Sequence, residues 1–591
     1  MDSVIQSNID ELMIDLKKAG MNMDDPVSKL MVSTLLYQAQ KIKDEIECIP
    51  DKVIDRLCSY FIPKNKLDAM PSLCFVQPTL KNRKGIEPQS LVDGVFFTYK
   101  IDSKLSLSYY PLYRNFIVPF KASHILTPQF LLSKGERIEL HLSKNGHVWF
   151  GLELPTEIDT LDGMSFYIKG TSGVMPERIY VGNSMTELSY ATADTMSVLP
   201  MMEPFDSQQT SPSSVEILSV WKSILANSDN GRLLYITDTT RDRDIFKCRA
   251  YPKSFQQLLE SNDLDKFENN TLWILFDFGD NYEVPSDIEI IPNVVPVVNV
   301  NINTVSLTQS SPIAKLTKTD GSFFLNIIET SLPAQSQGFN MVNDDIIVRD
   351  FDNNCYNPDV LYRDVRNLYN RFVDDYHAFI EYHGLKDGEL IRSLRELINK
   401  IGKNVSLSQE RNRYEDGTYL MRSIGINNQS SSIKVSYLTT FGRLGNSPHA
   451  GELMENKKDA AIEKDIKVIE AATGGEDKAG IDQRYEMLRY YTLTSDRLFT
   501  KMDIDAFLRL QLLREFGKEE IQRISYEITI QGAGGAKKLE RGLYIDIRFK
   551  DRKNFERAIG LSLDKKIRQS IIDKSCLTMP VIVKLVNIDI L

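Results

Sequence analysis

Residues 60–78 read YFIPKNKLDAMPSLCFVQP, and the chain changes architecture within them. A helix-like segment ends before Pro63, because proline disfavours the helical conformation of the residue that precedes it. After Pro71 the run LCFV begins, and a short apolar run next to prolines is typical of a buried strand. The stretch therefore predicts a helical head that is joined by a short neck to a β-rich body.

The head, residues 1–62, has the pattern of three helices. Apolar residues repeat at helical spacing over residues 5–16, and Asp25-Pro26 supplies an N-cap and a first-turn proline for the second helix. The third helix begins near Pro50, and its apolar face carries Val53, Ile54, Leu57 and Phe61. Helices this short hide such stripes either by packing antiparallel or by docking on a partner.

Composition sets the broad class of the protein. A chain of 591 residues is too long for one hydrophobic core, since single cores stop growing near ~250 residues, and we expect roughly three to five domains. With 42% hydrophobic and 26% charged residues, the composition is that of a soluble globular protein. The net charge of −10 argues against nucleic acid as the partner, because binding to phosphates needs a basic face.

The chain shows no targeting or redox signal. Its N-terminus lacks the basic start and the apolar core of a secretory signal, and no apolar run approaches the ~18 residues of a membrane span. Six cysteines are widely spaced without a CxxC pair, so we expect buried, reduced thiols. These features predict a cytoplasmic protein without direct membrane insertion.

Residues 137–154, RIELHLSKNGHVWFGLEL, predict a β-hairpin. A two-residue loop would place its two apolar rows on opposite faces, whereas a three-residue loop at 144–146 with Gly146 left-handed places them on one face, and we choose the latter. That register brings His141 and His147 together on the polar face. A zinc site needs a third ligand and an ordered second shell, so exposed strand histidines are the favoured interpretation.

The middle of the chain contains a linker and a punctuated β run. Residues 202–214 are rich in Ser, Gln and Pro and are typical of a linker. The β-branched run at 291–307 is interrupted by Pro296, which predicts an edge strand, a bend or two strands instead of one central strand.

A helical pair follows. Asn357-Pro358 begins a long helix, and a second helix runs from about Asp387 to Lys400. The stripe of the first helix consists of Leu361, Val365, Leu368, Phe372, Tyr376 and Phe379. This pair forms either a core or an interface.

The C-terminal third alternates strands and helices. Residues 405–446 predict strands, and residues 452–491 predict helix around the break TGGEDKAG. A compact α/β sandwich then comprises helix 503–516, strand 524–530, strand 543–549, helix 553–573 and strand 581–590.

Motifs for catalysis are missing from the sequence. The glycine-rich QGAGGAKK at 531–538 lacks the spacing of a phosphate loop and precedes a strand, so it predicts a hairpin loop. Asp277 and Asp280 flank a Phe-Gly turn and are read as turn carboxylates. Because the chain has no GxSxG elbow, no HExxH and no Cys/His constellation, we predict no catalytic residue, no cofactor and no metal. Exposed helical stripes instead favour an assembly component.

The neck region resembles the head of a known family. Asp25-Pro26 opens a helix, Tyr60 and Pro63 mark a helix end, and Pro71-Ser72 leads into the first strand. These points match the head of the TssF family, also called ImpG or VasA, a baseplate subunit of the type VI secretion system. In the middle of the chain, AYPKSFQQLLE and LWILFDF are similar to the Phe-Pro-x-x-Phe motif and the aromatic strand of the same family.

A more specific match is VVPVVNVN, which resembles the Thr-Pro-Val-Val-Asn-Leu signature of that family. Pro296 and Asn299 occupy the matching positions. Val300-Asn301 stands where the family usually has Leu-Phe, which indicates a divergent branch.

The last 180 or so residues resemble phage baseplate-wedge proteins of the J type. TTFGRLGNSPHAGE, ATGGEDKAGIDQRYEMLR and LFTKMDIDAFL are similar to the Gly-Asn loop, the Gly-Gly-x-Asp/Glu helix start and the Thr-Asp entry to the ring-forming domain. The residues that carry this match are Gly474, Gly475, Asp477, Thr500 and Asp503.

These resemblances imply a non-catalytic structural subunit of the type VI baseplate wedge. They imply assembly with a TssG-like partner, TssK and TssE around the hub and spike, as the platform for the contractile sheath. Two copies would share one TssG-like subunit, and the wedge would dock at the inner-membrane secretion complex. Residues 1–62 and 358–402 are then expected to form a core bundle with the partner. Deletion of residues 492–591 is expected to leave partner binding and to abolish ring assembly.

The predicted fold class is α+β multidomain, with an N-terminal helical head, two β-rich wing domains, a central helical pair and a C-terminal α/β sandwich. The predicted parts are 1–68 (head), 69–205 and 206–350 (β-rich), 351–405 (helical pair), 406–491 (J-like) and 492–591 (subunit contact).

Three alternatives remain open at the level of sequence. The baseplate could belong to a phage tail or to another contractile injection machine. From a different class, a β-rich carbohydrate-binding protein would use Trp149 on the polar face as an aromatic platform, although a surface or interface residue is the favoured interpretation. An enzyme would require a perturbed carboxylate pair in a deep cleft.

Overall fold

The chain folds as an α+β protein with several β-sheets and more than one domain, as the sequence predicts. The computed structural model describes residues 53–81, 87–192, 232–237, 245–308, 311–316, 321–331, 346–351, 366–375, 392–400, 417–422, 432–532 and 541–588, apart from the positions 55–56, 59, 64–66, 92–93, 114, 141–145, 157, 172, 183–184, 254, 256–258, 260–263, 265–266, 268–269, 368, 372, 394, 561–562 and 577–578. The predicted linker 202–214 lies outside the described residues.

The chain divides into two compact units. The β unit consists of residues 68–347 and 420–478, and the helical unit consists of residues 1–67, 348–419 and 479–591. The six-part division proposed from the sequence stays a prediction.

The centre of the β unit is a closed barrel of six antiparallel strands. In barrel order the strands are Leu73–Gln77, Val295–Asn299, Ser106–Pro111, Phe97–Lys100, Leu453–Asn456 and Asp465–Thr473. Alternate residues fill the interior, among them Val76, Val297 and Tyr109, while Phe75 on the outside packs against Tyr167 with ring centroids 5.0 Å apart. Closure removes both sheet edges, so each strand is paired on both sides.

A β-sandwich adjoins the barrel within the same unit. Its larger sheet is ordered Thr186–Leu188, Arg178–Val181, Thr271–Asp277, His147–Glu153, Ala122–Leu126, Phe130–Ser133 and Glu136–Glu139. Its smaller sheet is ordered Tyr190–Thr192, Leu233–Ile236, Ser165–Lys169 and Glu289–Pro292. Phe150, Phe166 and Phe276 meet edge-to-face between the sheets. On the outer face of the larger sheet pack Phe255, Leu259, Leu264 and Phe267.

Further strands complete the β-structure. Asn301–Thr308, Ser432–Thr440 and Phe323–Ser331 form one sheet in that order, Gln89–Ser90 pairs with Phe116–Ile117, and the remaining strands are Ile313–Lys315, Ile346–Phe351 and Gly417–Arg422. A short 3₁₀ helix spans Gly442–Asn446.

The helical unit contains a three-stranded sheet with helices packed on it. Among its described helices are α1 (Ile481–Thr494), α2 (Lys501–Ile521), α3 (Arg552–Gly560) and α4 (Leu563–Lys574). Strands Ile524–Gly532 and Arg541–Phe549 form an antiparallel hairpin, and Val581–Asn587 pairs parallel to the second of them. The alternation Leu543, Ile545, Ile547 and Phe549 that predicted this sheet is the face buried in the core.

For this C-terminal region one expectation is confirmed and two are wrong. The predicted hairpin around 531–538 is confirmed by the pairing of Gly532 with Arg541. The predicted single helix 553–573 is instead the two helices α3 and α4. Residues 453–473, which were expected to be helical, form the barrel strands Leu453–Asn456 and Asp465–Thr473, because their apolar residues face the barrel interior and not one side of a helix.

The predicted hairpin at 137–154 is wrong. Strand Glu136–Glu139 pairs with Phe130–Ser133 at the edge of the large sheet, whereas His147–Glu153 is a central strand between Ala122–Leu126 and Thr271–Asp277. Gly146 does adopt a left-handed conformation, with φ of 80°, and its carbonyl accepts a hydrogen bond from Phe278 N–H.

The supposed polar face of this strand is buried as well. Trp149 is 8% exposed, its ring meets Phe255 edge-to-face at 5.3 Å, and it shares a core with Leu259, Leu264 and Phe267. The placement of Trp149 at the surface, and with it the aromatic platform of the carbohydrate-binding alternative, is therefore wrong. His141 lies outside the described residues, and His147 lies 3.5 Å from a carboxylate oxygen of Asp277.

Two further expectations are resolved. The run is divided into the strands Val295–Asn299 and Asn301–Thr308, but the break falls at Val300. The expected interruption at Pro296 is wrong, because Pro296 lies opposite Phe75 inside a barrel strand that is paired on both sides. Among the cysteines that the structure describes, Cys58 and Cys74 are buried and Cys248 is half-buried, whereas Cys576 is exposed, so the expected burial is wrong for Cys576.

Candidate functional site: a buried loop junction and an exposed helix face

Four chain segments meet at one end of the barrel. They are residues 70–72, Asn299, residues 440–446 and residues 474–477, which we call the loop junction. The barrel register explains the meeting, because Leu73 pairs with both Val298 and Thr473, so the ends of these strands lie side by side. Most of the family-motif residues in the β unit lie in this junction.

Asn299 lies at the centre of the loop junction and is fully buried. Its Nδ2 donates a hydrogen bond to the carbonyl of Ser108 at 3.1 Å, and its Oδ1 accepts one from the backbone N–H of Phe441 at 3.1 Å. The Thr440 hydroxyl lies within hydrogen-bond distance of both Asn299 oxygens, at 2.9 Å from the carbonyl and 3.2 Å from Oδ1. An amide supplies both a donor and an acceptor here, which a carboxylate or an apolar side chain does not.

Gly445 packs directly against Asn299. Its carbonyl accepts hydrogen bonds from the Ser72 hydroxyl at 2.5 Å and from the Tyr109 hydroxyl at 2.6 Å. A Cβ at this position would lie 2.5 Å from Ser72 Oγ and 2.8 Å from Asn299 Oδ1. Burial raises the pKa of the Tyr109 phenol well above its ordinary value, so the phenol stays a donor.

The glycine motif at 474–477 closes the loop junction from the other side. Gly475 and Asn446 exchange two hydrogen bonds, Asn446 Nδ2 to the Gly475 carbonyl at 2.8 Å and Gly475 N–H to Asn446 Oδ1 at 2.9 Å. A Cβ on Gly475 would overlap the carbonyl oxygen of Gly442. Gly474 has φ of 83°, a left-handed conformation that glycine adopts without strain.

The remaining motif residues of the β unit extend this network. Asp477 Oδ1 accepts a hydrogen bond from the backbone N–H of Arg443 at 2.8 Å. Met70, which precedes the buried Pro71, exchanges backbone hydrogen bonds of 2.8 and 3.0 Å with Glu476. The polar groups of the loop junction thus hydrogen-bond to one another and hold four segments together, so we assign them a structural role and not a role in ligand binding.

In the helical unit, Thr500 and Asp503 form a capping box at the start of α2. Asp503 N–H donates to Thr500 Oγ1 at 3.2 Å, and Asp503 Oδ2 accepts from the N–H groups of Thr500 at 2.8 Å and Phe499 at 3.0 Å. Partial burial acts in the opposite direction, but the backbone donors of Thr500 and Phe499 leave the pKa of Asp503 below its ordinary value.

The head helix has one buried and one exposed apolar face. Residues 53–61 are helical wherever they are described, and Ile54, Cys58 and Ile62 pack into the core of the helical unit. On the neighbouring face, Tyr60 is 82% and Phe61 is 54% exposed. The exposed face, which we call the head stripe, consists of Val53, Leu57, Tyr60 and Phe61 at spacings of 4, 3 and 1 residues.

The other sequence-derived residues divide into two groups. Pro63 follows the head stripe and is exposed. Outside the described residues lie Asp25, Pro26, Leu361, Leu368 and Phe372.

Sequence reasoning missed a buried polar cluster in the large sheet. His124 lies with Nδ1 3.0 Å from Ser133 Oγ and Nε2 2.9 Å from Glu153 Oε1, and Lys134 Nζ lies 3.0 Å from the same Glu153 oxygen. The arrangement has the connectivity of a Ser-His-Glu relay, but Ser133 is only 4% exposed. A nucleophile needs access to substrate, so we assign this cluster a structural role.

A glycine in the neighbouring strand, Gly151, leaves room for the His124 ring of that cluster. Gly151 lies opposite both His124 and Trp273, whose rings stack with centroids 6.0 Å apart. A Cβ on Gly151 would lie 2.8 Å from the Trp273 ring. The sequence signal was a glycine inside a strand pattern, which marks close approach of neighbours.

The described ranges contain neither a metal cluster nor a membrane-spanning helix. Within them, no group of three or more His, Cys, Asp or Glu side chains is placed to hold a metal ion. The helices described there include none with the length and hydropathy of a membrane span.

Comparisons with known proteins find similarity to solved structures at low identity and no sequence match. No protein-family model matches the chain, and no curated protein matches its sequence. Among solved structures, the chain is similar to one in the type VI secretion system TssK-TssF-TssG baseplate subcomplex, with 10% identity, 95% of this chain and 96% of that chain covered, and a TM-score of 0.40.

Two other solved assemblies contain similar chains. One is the baseplate of the anti-feeding prophage, with 9% identity, 98% of this chain and 70% of that chain covered, and a TM-score of 0.28. The other is the baseplate complex from the type VI secretion system, with 12% identity, 95% and 89% covered, and a TM-score of 0.32. Similarity at this level does not establish a family or a function for this chain.

Proposed function

We propose that this protein is a non-catalytic structural subunit of a type VI secretion baseplate wedge, of the TssF kind. The proposal rests on the motif resemblance together with one structural observation, the exposed head stripe. Its partners would be a TssG-like subunit, TssK and TssE, with the hub, spike and sheath assembling on the wedge. In this role the protein works in the cytoplasm, docked at the inner-membrane secretion complex.

The head stripe supports this role because it is an apolar face on an anchored helix. Ile54, Cys58 and Ile62 fix the helix on the core of the helical unit, and the Cys58 thiol donates to the Arg484 carbonyl at 3.6 Å. Residues Leu57 and Phe61 therefore project from a fixed support instead of a free terminal segment. A helix presented in this way fits the helix-in-groove mode of recognition, and the partner avoids the cost of ordering it.

The loop junction supports the resemblance from another direction. Pro71, Asn299, Gly475 and Asp477 come from three separately recognised motifs, yet they lie in one hydrogen-bonded junction. Residues that define a family of structural subunits are expected to hold the fold together, and these residues do so. We infer that the motifs mark a shared scaffold.

The C-terminal part, residues 492–591, is proposed as a contact between subunits. Its deletion is not a clean test, because Cys58 and Ile62 share one core with Phe507 and Ile545. Removing residues 492–591 would take away the core residues against which the head helix packs. Point substitutions on the surface of this part are the appropriate test.

The head stripe is tested by substitution at its exposed residues. L57Q/F61Q should abolish co-purification with the TssG-like product of a neighbouring gene, while the melting temperature changes little. The matched control is V174Q/L453Q, which places the same polar side chains on exposed sites of the β unit. Undiminished co-purification of the L57Q/F61Q protein would contradict the proposal.

A baseplate wedge of a phage tail or of another contractile machine is the second candidate. The observation that favours it is the J-type match. Two residues of that match, Gly475 and Asp477, form hydrogen bonds in the same loop junction as Asn299. The identity of the co-purifying gene products decides between the two machines.

A further inference from the structure

Helices α3 and α4 carry an excess of exposed positive charge. Arg552 is neutralised by Glu556 at 2.9 Å, and Asp573 accepts a hydrogen bond from Gln569. In the described part of the chain, five other exposed cations of these helices form no ion pair: Lys553, Arg557, Lys565, Lys566 and Arg568. Two isoleucines, Ile559 and Ile572, are exposed on the same helices. We call these seven residues the basic face.

The basic face is unusual for this protein in two respects. The whole chain has a net charge of −10, whereas the two carboxylates of these helices that form no ion pair with a described residue, Asp564 and Asp573, offset the five cations only in part and leave a positive surface. Lys565 and Arg568 are also three residues apart on one helix, a spacing at which like charges repel and reduce helix stability. Repulsion of this kind is relieved when an acidic surface binds.

The β unit carries a surface of the opposite sign. Residues 279–289 contain no lysine or arginine, and Asp280, Glu283 and Asp287 are exposed there without ion pairs among the described residues. The exposed Glu177 extends this cluster, because a Cβ on Gly279 would lie 2.8 Å from its carboxylate.

This acidic loop, residues 279–289, is held in a fixed conformation. Val284 and Ile288 are anchored in the sandwich core, and the Val284 carbonyl accepts a hydrogen bond from Gln129 at 2.9 Å. Tyr282 stacks on Phe278 with ring centroids 5.2 Å apart. The carboxylates are therefore presented by a rigid loop, and little conformational entropy is lost when they bind.

We infer that the basic face of one copy binds the acidic loop of a second copy of this chain. The inference rests on the proposed baseplate role, in which copies of the subunit must contact one another repeatedly. Because the two surfaces differ, the contact is heterologous and propagates from copy to copy, closing into a ring where the rotation allows it. Charge pairs at such a surface weaken with added salt, while Ile559 and Ile572 supply apolar contact.

The test reverses the charge of each surface separately in the full-length purified chain. The base-reversed variant is K565E/K566E/R568E, and the acid-reversed variant is D280K/E283K/D287K. Each alone should lower self-association at low salt at least tenfold, because like charges then face each other. An equimolar mixture of the two should restore association, since each variant then offers a surface complementary to the other.

The control variant is K104E/K464E/K467E, which makes the same change in charge on the exposed barrel surface and should associate like the parent chain. Circular dichroism and melting curves verify folding, and the neutralised variant K565Q/K566Q/R568Q replaces the base-reversed one if that variant does not fold. Association is measured by sedimentation at 50 and 500 mM sodium chloride.

Three outcomes overturn the inference. The first is that the parent chain does not self-associate at low salt, and the second is that the reversed variants associate like the control. The third is that both variants are impaired and their mixture does not recover association. The last outcome would point to an acidic partner protein or an anionic lipid surface on the basic face. None of these outcomes bears on co-purification with the TssG-like product, so failure here is distinguishable from failure of the proposed function.

Discussion

Asn299 Oδ1 accepts a hydrogen bond from the backbone N–H of Phe441, 142 residues further along the chain, at 3.1 Å. This bond joins the end of one barrel strand to the loop that precedes the Gly442–Asn446 turn. A motif residue thereby fixes the position of a second motif that is remote in sequence.

Replacing Asn299 by Asp should destabilise the β unit by about 2–4 kcal/mol. The substitution removes the donor to Ser108 and places a carboxylate in a fully buried position. Urea unfolding followed by tryptophan fluorescence measures the change. N281D on the exposed acidic loop is the control and should change stability by less than about 0.5 kcal/mol. Equal stabilities of N299D and N281D would contradict the role assigned to Asn299.

Replacing Gly445 by Ala should cost about 1–3 kcal/mol, because the new Cβ would lie 2.5 Å from Ser72 Oγ and 2.8 Å from Asn299 Oδ1. G560A is the matched control, since nothing lies within 4 Å of a Cβ at that position. The control should be neutral or slightly stabilising, because alanine restricts the unfolded chain more than glycine does. Differential scanning fluorimetry is sufficient to compare the two, and a G445A protein that melts like G560A would show that the junction relaxes freely.

Replacing His124 by Ala should destabilise the sandwich by about 2–4 kcal/mol, because it removes a partner from the buried Glu153 and leaves a cavity beside Trp273. H449A is the control at an exposed histidine, whose side chain is 73% exposed. Hydrolytic activity of the parent chain that disappears in S133A would contradict the structural assignment and support an enzyme.

The capping box predicts a dependence of stability on pH. The folded-state pKa of Asp503 is depressed, so its contribution is present above the ordinary value of 3.8 and is lost as the pH falls through the lower folded value. T500A should cost about 1 kcal/mol at neutral pH, whereas T500S should retain most of the cap. Below pH 3.8 the difference between the parent and D503N should shrink, and a difference that grows there would contradict the assignment.

The sequence predicted the sheet of the helical unit well because its signals are local. Leu543, Ile545 and Ile547 alternate along one strand, and the paired strand is its neighbour in the chain. Thr500 and Asp503, which lie within four residues of each other in the sequence, likewise indicate the start of α2.

The barrel was not predictable in the same way. Its six strands come from residues 73–473, and its closure depends on pairings such as Leu73 with Thr473 that no local pattern reveals. The interpretation of His147–Glu153 failed for a related reason, because residues distant in sequence, among them Phe255 and Phe267, bury the face that was expected to be polar. The head stripe was recognised as apolar, but only the structure separates the buried Cys58 side from the exposed Phe61 side.

The most direct test of the proposed function is the mass of the complex formed when this chain is co-expressed with the products of its neighbouring genes. The proposal predicts a stable complex with two copies of this chain and one copy of a smaller TssG-like partner, and loss of that complex with L57Q/F61Q. A well-behaved monomer that co-purifies with none of them would contradict it.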